Sequence, residues 1–459
     1  AILDWLTNET GSALVQARAG SGKTSTLVML ANAMPRRNRA TFLAFNKSIA
    51  TELQTRLPEH VSASTFHSFT YGPLRRYVEQ KERTKISPRT WVDSRKVDSI
   101  YDANYPNMLG ARSATTKLVG LMKAHGLLPE CSHDELAALM AHFDVECDDE
   151  NVTQLEVMNM AQTVLTLNNR QLTTIDFDDM LYLPIVFGLK LETFDYVMVD
   201  ESQDTNEIQR AILRKICHAK TRVIAVGDEA QAIYGFRGAS SDSMAQIQRE
   251  FDCVTLPLSI SYRCPASVIR LAQQIVPDIE ARDGAPEGTV EYPASYKVSD
   301  FTPDTLVICR NTAPLVKTAY RLIRERVAVR FLGREIGAGL TSLIKRVAGK
   351  RTSLNELPDR LNEWQTREIE RAVKQKQEGR IQTITDKVET LLTLIESMSP
   401  GDRANGIPGL VAIITDMFAD KKGKMVTFAT IHKSKGMESQ HVVILDEQLM
   451  PSKYARQAW

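Results

Sequence analysis

Ala13-Leu-Val-Gln-Ala-Arg-Ala-Gly-Ser-Gly-Lys-Thr-Ser25 joins a short apolar run to a glycine-rich turn and a helix start. Ala13–Gln16 forms a short apolar strand candidate, and the residues after Thr24 continue through Leu27, Met29 and Leu30 as a helix. The turn between them is rich in glycine and ends in Lys-Thr. Strand, glycine-rich turn and helix in that order are the context a phosphate-binding loop requires. Gly20 and Gly22 let backbone N–H groups wrap phosphate oxygens, and the helix N-terminus adds partial positive charge. Ala19, Gly20, Ser21, Gly22, Lys23, Thr24 and Ser25 are therefore the candidate nucleotide contacts. Lys23 is placed to reach the β- and γ-phosphates, and Thr24 to offer its hydroxyl to Mg2+. The general pattern has Gly where Ala17 stands.

A phosphate-binding loop needs a second carboxylate for the metal. Tyr196-Val-Met-Val-Asp-Glu201 supplies one at the end of an apolar strand. Asp200 is placed to hold Mg2+ through water, and Glu201 to accept a proton from an attacking water. Alone, an Asp-Glu strand end is more often just solvated; beside the loop it reads as the other half of an ATP site.

Around these two segments, short apolar strands alternate with helices. The clearest strands are Ala13–Gln16, Thr41–Phe45, Tyr196–Asp200, Val223–Val226, Thr305–Cys309, Val426–Thr430 and Val442–Leu445. Several are apolar throughout, as parallel strands covered on both faces are. The alternation predicts an α/β fold with parallel sheets. Two segments, about Arg75–Asn169 and Lys345–Lys424, lack good strands and read as helical insertions. The first begins basic and turns acidic at Asp144, Glu146, Asp148, Asp149 and Glu150. In the second, Ile381, Ile384, Val388, Leu391 and Ile395 recur at helical spacing and mark one buried face.

The chain of 459 residues exceeds what one hydrophobic core supports, so at least two domains are expected. The six cysteines are scattered with no C-x-x-C pair, which argues against zinc and a disulfide framework and for a reducing compartment. No apolar run is long enough to span a bilayer. Net charge is only +1, so a nucleic-acid contact must rest on local charge.

Further motifs follow in order: Asp200-Glu-Ser-Gln-Asp204, Gly227-Asp-Glu-Ala-Gln-Ala-Ile-Tyr-Gly-Phe-Arg-Gly-Ala239, Ser261-Tyr-Arg-Cys-Pro265 and Thr430-Ile-His-Lys-Ser-Lys-Gly-Met-Glu438. Together with the phosphate-binding loop, they resemble the UvrD/Rep-type helicases of superfamily 1. Leu43-Ala-Phe-Asn-Lys47 points to the branch with phage and F-box DNA helicases.

The resemblance implies two RecA-like domains, each interrupted by a helical insertion, with ATP in the cleft between them and single-stranded DNA across the top. The implied boundaries are 1–74, 170–252 and insertion 75–169 for the first domain. For the second they are 253–344, 425–459 and insertion 345–424. By resemblance Gln231 senses the γ-phosphate, Arg263 is an arginine finger, Tyr262 stacks on adenine and Glu438 meets the ribose. Phe45, Thr65, His67, Tyr234, Phe236, Arg237 and His432 are the implied DNA contacts; Asp176-Phe-Asp-Asp179 also fits a family segment. Stacking on aromatics is worth roughly 1–3 kcal/mol per base and tolerates any sequence, which suits a motor.

The implied activity is ATP-dependent unwinding in DNA replication, repair or recombination, 3′ to 5′ by resemblance, at single-strand/duplex junctions. Two alternatives stay open: a translocase that displaces proteins without unwinding, and a non-motile ATP-dependent nucleic-acid switch. The resemblance also implies a location with DNA, in the cytoplasm or a nucleus. It implies a natural chain that extends before Ala1, with an adenine-contacting Gln, and past Trp459, with a second arginine.

Overall fold

The computed structural model describes residues 2–83, 85–86, 91–143, 145, 147, 149, 151–233, 242–349, 351–374, 378–419, 421 and 423–450. Tyr234, Phe236, Arg237, Asp144, Glu146, Asp148 and Glu150 lie outside them.

Two compact units divide the chain, Ala1–Val290 and Glu291–Trp459. The first is built on a parallel sheet of β1 (Ser12–Ala17), β2 (Ala40–Ala44), β3 (Val61–Thr65), β4 (Phe194–Val199), β5 (Cys217–Gly227) and β6 (Cys253–Leu258), in the order β3-β2-β4-β5-β1-β6. Because side chains alternate along a strand, each strand feeds two cores. Tyr196, Met198, Ile224 and Val226 face a core closed by Trp5, Leu27, Leu30 and Leu53. Val197, Val199, Val223 and Ala225 face the other, closed by helices Phe66–Lys81, Phe177–Val186, Glu207–Ile216 and Ser243–Glu250. Burial on both faces is why these strands carry no polar alternation. A short parallel pair, β7 (Ile260–Ser261) and β8 (Glu280–Ala281), completes this unit.

The second unit has a four-stranded parallel sheet of β9 (Thr305–Cys309), β10 (Val329–Phe331), β11 (Val426–Thr430) and β12 (His441–Ile444), ordered β10-β11-β9-β12. Among the described residues, helices fill the interval between β10 and β11, including Leu357–Lys374 and Glu378–Ser397. Ile384, Val388, Leu391 and Ile395 of the latter are buried, and Ile381 is half-buried.

All seven expected strand segments are present, and five further strands join them: β3, β6, β10 and the short pair β7 and β8. β3 reads Val-Ser-Ala-Ser-Thr and β6 contains Pro257, and both are edge strands, where weak apolar pattern and proline are tolerated. β6 pairs with β1 from Ser12↔Cys253 to Ala17↔Leu258, so Cys253–Val290 belongs to the first unit. The resemblance implies a second domain from 253, whereas the compact units divide after Val290.

Between β3 and β4 the described residues form helices and one isolated bridge, Val92–Ile175. A buried charge cluster joins these helices. Lys123 Nζ lies 2.6 Å from Asp176 Oδ2 and 2.8 Å from Asp179 Oδ1. Lys96 Nζ lies 2.7 Å from Asp179 Oδ2 and donates to the Asn168 carbonyl at 3.0 Å. Asp176 and Asp179 also cap the helix Phe177–Val186 reciprocally. Burial alone would raise the Asp179 carboxyl; Lys123 and Lys96 outweigh it and hold it below the ordinary range.

Removing one cation from such a cluster leaves an uncompensated buried carboxylate. Lys123→Met is expected to cost about 3–5 kcal/mol, read by urea denaturation. A loss under about 1 kcal/mol, the range of exposed pairs, would contradict a dry cluster.

Candidate active site

Parallel strands place all their C-terminal ends on one edge of the sheet, and the candidate residues of the first unit leave from that edge. After β1 the chain turns through Gly20 (φ 71°) and Gly22 (φ 84°) directly into helix Lys23–Ala33. Gly20 is required twice over. Its φ is left-handed, and a Cβ there would lie 2.5 Å from Arg263 Cβ and 2.7 Å from Ser261 Oγ. The turn after β7 thus rests on the loop, with the Tyr262 N–H donating to the Gly20 carbonyl at 2.9 Å. Tyr262 itself is 64% exposed.

Three polar atoms around this turn, Ser21 Oγ, Lys23 Nζ and Ser261 Oγ, are buried with no hydrogen-bond partner among the described residues. The Lys23 ammonium has Glu201 Oε2 at 3.7 Å, beyond hydrogen-bond distance. Buried donors left in this state are costly, and an ammonium is the costliest. A polyphosphate, supplying acceptor oxygens and negative charge, is the group such a set fits.

Asp200 and Glu201 follow β4. Asp200 is 3% exposed; its N–H donates to the Leu43 carbonyl at 3.2 Å, and its Oδ1 accepts the Glu201 N–H at 2.9 Å. Burial first, then the neighbouring Glu201 charge, pushes the Asp200 carboxyl up to about 6, against the pull of that N–H and of Lys23. Glu201 has φ 51°, a left-handed conformation that costs a non-glycine residue and is typical of functional turns. Among the described residues no group of three or more His, Cys, Asp or Glu could hold a metal. A sparse donor set of the Thr24 hydroxyl and the Asp200 carboxylate suits Mg2+, which keeps its waters and takes phosphate oxygens.

A hydrogen-bond chain runs on from Glu201. Gln203 Nε2 donates to Glu201 Oε2, and Gln203 Oε1 accepts the Asp228 N–H at 3.0 Å. Asp228 Oδ2 accepts from Gln231 Nε2 at 2.6 Å. Gln231, in the turn Glu229–Gln231 after β5, is therefore linked to Glu201 through two residues to which sequence reasoning gave no role. Their signal was a fixed offset from two adjacent strand ends, Gln203 after β4 and Asp228 after β5.

The sheet order separates two groups of candidates. The loops after β4, β5, β1 and β6 are neighbours and carry Glu201, Gln231, Lys23 and the Tyr262-Arg263 turn. β2 and β3 lie on the other side of β4 and carry Phe45, Thr65 and His67. Phe45 is half-buried. Thr65 Oγ1 caps helix Phe66–Lys81, accepting the Ser68 N–H at 3.1 Å. His67 is half-buried, which lowers its pKa, and its ring stands edge-on to Phe177 at 6.3 Å. Phe177 is 56% exposed, an aromatic face beside His67 to which the sequence assigns no role of its own. Tyr234, Phe236 and Arg237 lie outside the described residues.

His432 and Glu438 belong to the second unit, in the segment between β11 and β12. His432 sits in the short helix Ile431–Ser434; burial, then the Arg310 charge, lowers its pKa. Gly436 turns the chain with φ 80°, and Glu438 is exposed.

A family model for the UvrD/REP helicase N-terminal domain matches residues 3–252. The chain is similar to ATP-dependent DNA helicase srs2 of Schizosaccharomyces pombe, 26% identical over 299 residues, covering 58% of this chain and 33% of that protein. It is similar to ATP-dependent DNA helicase PcrA of Leuconostoc citreum, 26% identical over 290 residues, covering 58% of this chain and 37% of that protein. F-box DNA helicase protein 1 of S. pombe is 24% identical over 244 residues, covering 50% of this chain and 26% of that protein. The chain thus spans about a quarter to a little over a third of the length of these relatives. Among the described residues, no helix is long and apolar enough to cross a membrane.

The Asp200 carboxyl gives a pH test. Its folded pKa, about 6, lies above its ordinary 3.8. The stability it contributes is therefore fully present below pH ~4 and lost as pH rises through ~6. The shift is worth about 3 kcal/mol. Without nucleotide or metal, the parent is expected to lose that much relative to Asp200→Asn between pH ~4 and ~7. Denaturation profiles of the two proteins that run parallel across the range would contradict the buried carboxyl.

Proposed function

The chain belongs to the UvrD/REP helicase family, and on that premise we propose that it is an ATP-driven motor that moves on single-stranded DNA and separates duplex strands. The observation that carries the reading is the buried Lys23 ammonium, without a hydrogen-bond acceptor among the described residues and facing Glu201.

ATP is the substrate that fits this arrangement. Its β- and γ-phosphates lie against the backbone N–H groups of Ala19–Ser25 and the Lys23 ammonium. Thr24 and Asp200 would hold Mg2+, which would supply positive charge to the phosphate oxygens. Glu201 accepts the proton of a water that attacks the γ-phosphorus, and the bond to the β-γ bridging oxygen breaks to release ADP and phosphate. Arg263 offsets the charge that spreads over the transferred group, a contribution of about 10³–10⁵ in rate in comparable enzymes. Tyr262, exposed at the loop, stacks on adenine. Gln231 sits after β5 with its amide nitrogen on Asp228, which suits a reporter of the γ-phosphate.

Single-stranded DNA is the partner proposed for the β2–β3 side of the edge. Phe45, Thr65 and His67 contact the strand there, and exposed Phe177 adds a stacking surface beside His67. Tyr234, Phe236 and Arg237 follow Gln231 closely enough in sequence for ATP state to reach DNA grip through one short segment. His432 and Glu438 serve as the second unit's contacts to DNA and ribose. Movement 3′ to 5′ is proposed on the resemblance of the sequence after Gln231 to the family, and action at single-strand/duplex junctions on the helicase reading.

ATPase rate with and without single-stranded DNA, followed by unwinding of 3′- and 5′-tailed duplexes, tests the proposal. Translocation without strand separation would reduce it to a translocase; no stimulation by DNA would sink it. Glu201→Gln is expected to retain nucleotide and DNA binding and lose about 10²-fold or more in kcat, because an amide cannot take the water's proton. A kcat within about threefold of the parent would remove Glu201 from the role of base. Lys23→Ala is expected to weaken nucleotide binding as well as turnover.

A further inference from the structure

Arg18 lies within the glycine-rich turn, but its side chain is committed to two carboxylates. Nη1 donates to Asp228 Oδ1 at 3.1 Å, while Nη2 and Nε both donate to Asp278 Oδ2, at 2.7 and 3.0 Å. Its backbone is equally tied: the N–H donates to the Leu258 carbonyl at 2.9 Å, and its carbonyl accepts the Ser21 N–H at 3.1 Å. Four segments therefore meet at one residue: the phosphate loop, the end of β6, the loop after β5, and the stretch before β8.

Asp228 is 2% exposed, and both its oxygens are in use. Oδ1 takes Arg18 and the Ala230 N–H at 3.2 Å; Oδ2 takes Gln231 Nε2 at 2.6 Å. With its amide nitrogen anchored there, the Gln231 carboxamide has a defined orientation, Oε1 turned away from Asp228. Arg18 is the cation paired with this buried carboxylate, holding Oδ1 while Gln231 occupies Oδ2. Asp278, itself largely exposed, holds the other edge of the guanidinium and fixes its plane.

We propose that Arg18 is a positioning residue for recognition of the γ-phosphate: through Asp228 it sets the carboxamide of Gln231. The inference rests on reading the loop as a nucleotide site, and it makes discrimination of nucleoside triphosphate from diphosphate depend on a residue outside the phosphate contacts.

The test is a double-mutant cycle on the whole chain, read by equilibrium titration with a fluorescent ADP and a fluorescent non-hydrolysable ATP analogue in Mg2+. Arg18→Met is expected to lower the triphosphate preference about tenfold, the weight of a hydrogen bond to a charged group, with ADP affinity within about twofold. In a Gln231→Ala background the same change is expected to alter the preference by less than about twofold, because the two residues act in series. Arg18→Lys, which keeps a cation on Asp228 but cannot bridge both carboxylates, is expected to fall between parent and Arg18→Met and serves the cycle where the Met variant does not fold. Equal weakening of both nucleotides would make Arg18 an element of loop structure only and overturn the proposal. So would additive effects in the cycle, or a parent without triphosphate preference. A parent that binds neither nucleotide would instead overturn the reading of the loop, and this inference with it.

Discussion

The buried Lys23 ammonium is the constraint around which the first unit is arranged. Among the described residues it has no hydrogen-bond acceptor, and its nearest counter-charge, Glu201, stands at 3.7 Å. A fold would ordinarily let such a side chain reach water or a carboxylate. Here the turn of Gly20 and Gly22, the start of helix Lys23–Ala33 and the Ser261–Arg263 turn above Gly20 hold it in place. The cost is met by close packing of two apolar layers on either face of the sheet, so the least favourable side chain sits beside its most rigid part.

Strand order converts that rigidity into a division of labour. With all strands parallel and ordered β3-β2-β4-β5-β1-β6, the four loops nearest the phosphate turn are contiguous. Neighbouring strands are about 4.8 Å apart, so β3 and β1, four steps apart, have ends on the order of 19 Å from each other. No single side chain spans that distance. β4 and β5 lie between the two sides, and at their ends Glu201, Gln203, Asp228 and Gln231 form a hydrogen-bonded chain. The left-handed backbone at Glu201 belongs to the same logic, since a strained turn keeps one geometry only where its surroundings over-determine it.

What was legible in the sequence follows from which forces leave a local trace. Doubly covered parallel strands write continuous apolar runs, so Tyr196–Asp200 or Thr305–Cys309 could be read directly. Edge strands carry less of that signal: Val61–Thr65 alternates small polar residues, and Cys253–Leu258 includes a proline. The unit boundary after Val290 was not legible either, because pairing of β6 with β1 joins residues some 240 positions apart. At the site, glycine-rich turns and strand-end carboxylates announce themselves by spacing. Arg18, Gln203 and Asp278 do not, because their roles are set by partners distant along the chain or by a side-chain orientation that no pattern records. Asp176 and Asp179 lie in a segment that only the family resemblance singled out, and both are committed to Lys96 and Lys123 inside the helical layer.

That charge cluster and the Arg18 bridge are two uses of the same chemistry. Around Asp179 two ammonium groups and a carboxamide leave the carboxylate with matched partners on fixed helices, and the result is a joint between Lys96–Asn104, Arg112–Ala124, Gln154–Arg170 and Phe177–Val186. Around Asp228 one cation is shared with an exposed second carboxylate, and the other oxygen holds a glutamine amide on a short turn. A joint whose members are all buried resists change, because loosening any contact strands a charge in low dielectric. A bridge with one exposed arm can be released at that arm for little more than the cost of a surface ion pair, about 0–1 kcal/mol. The helical cluster has no exposed arm, whereas in the Arg18 bridge the arm to Asp278, before β8, is exposed and the arm to Asp228, after β5, is buried.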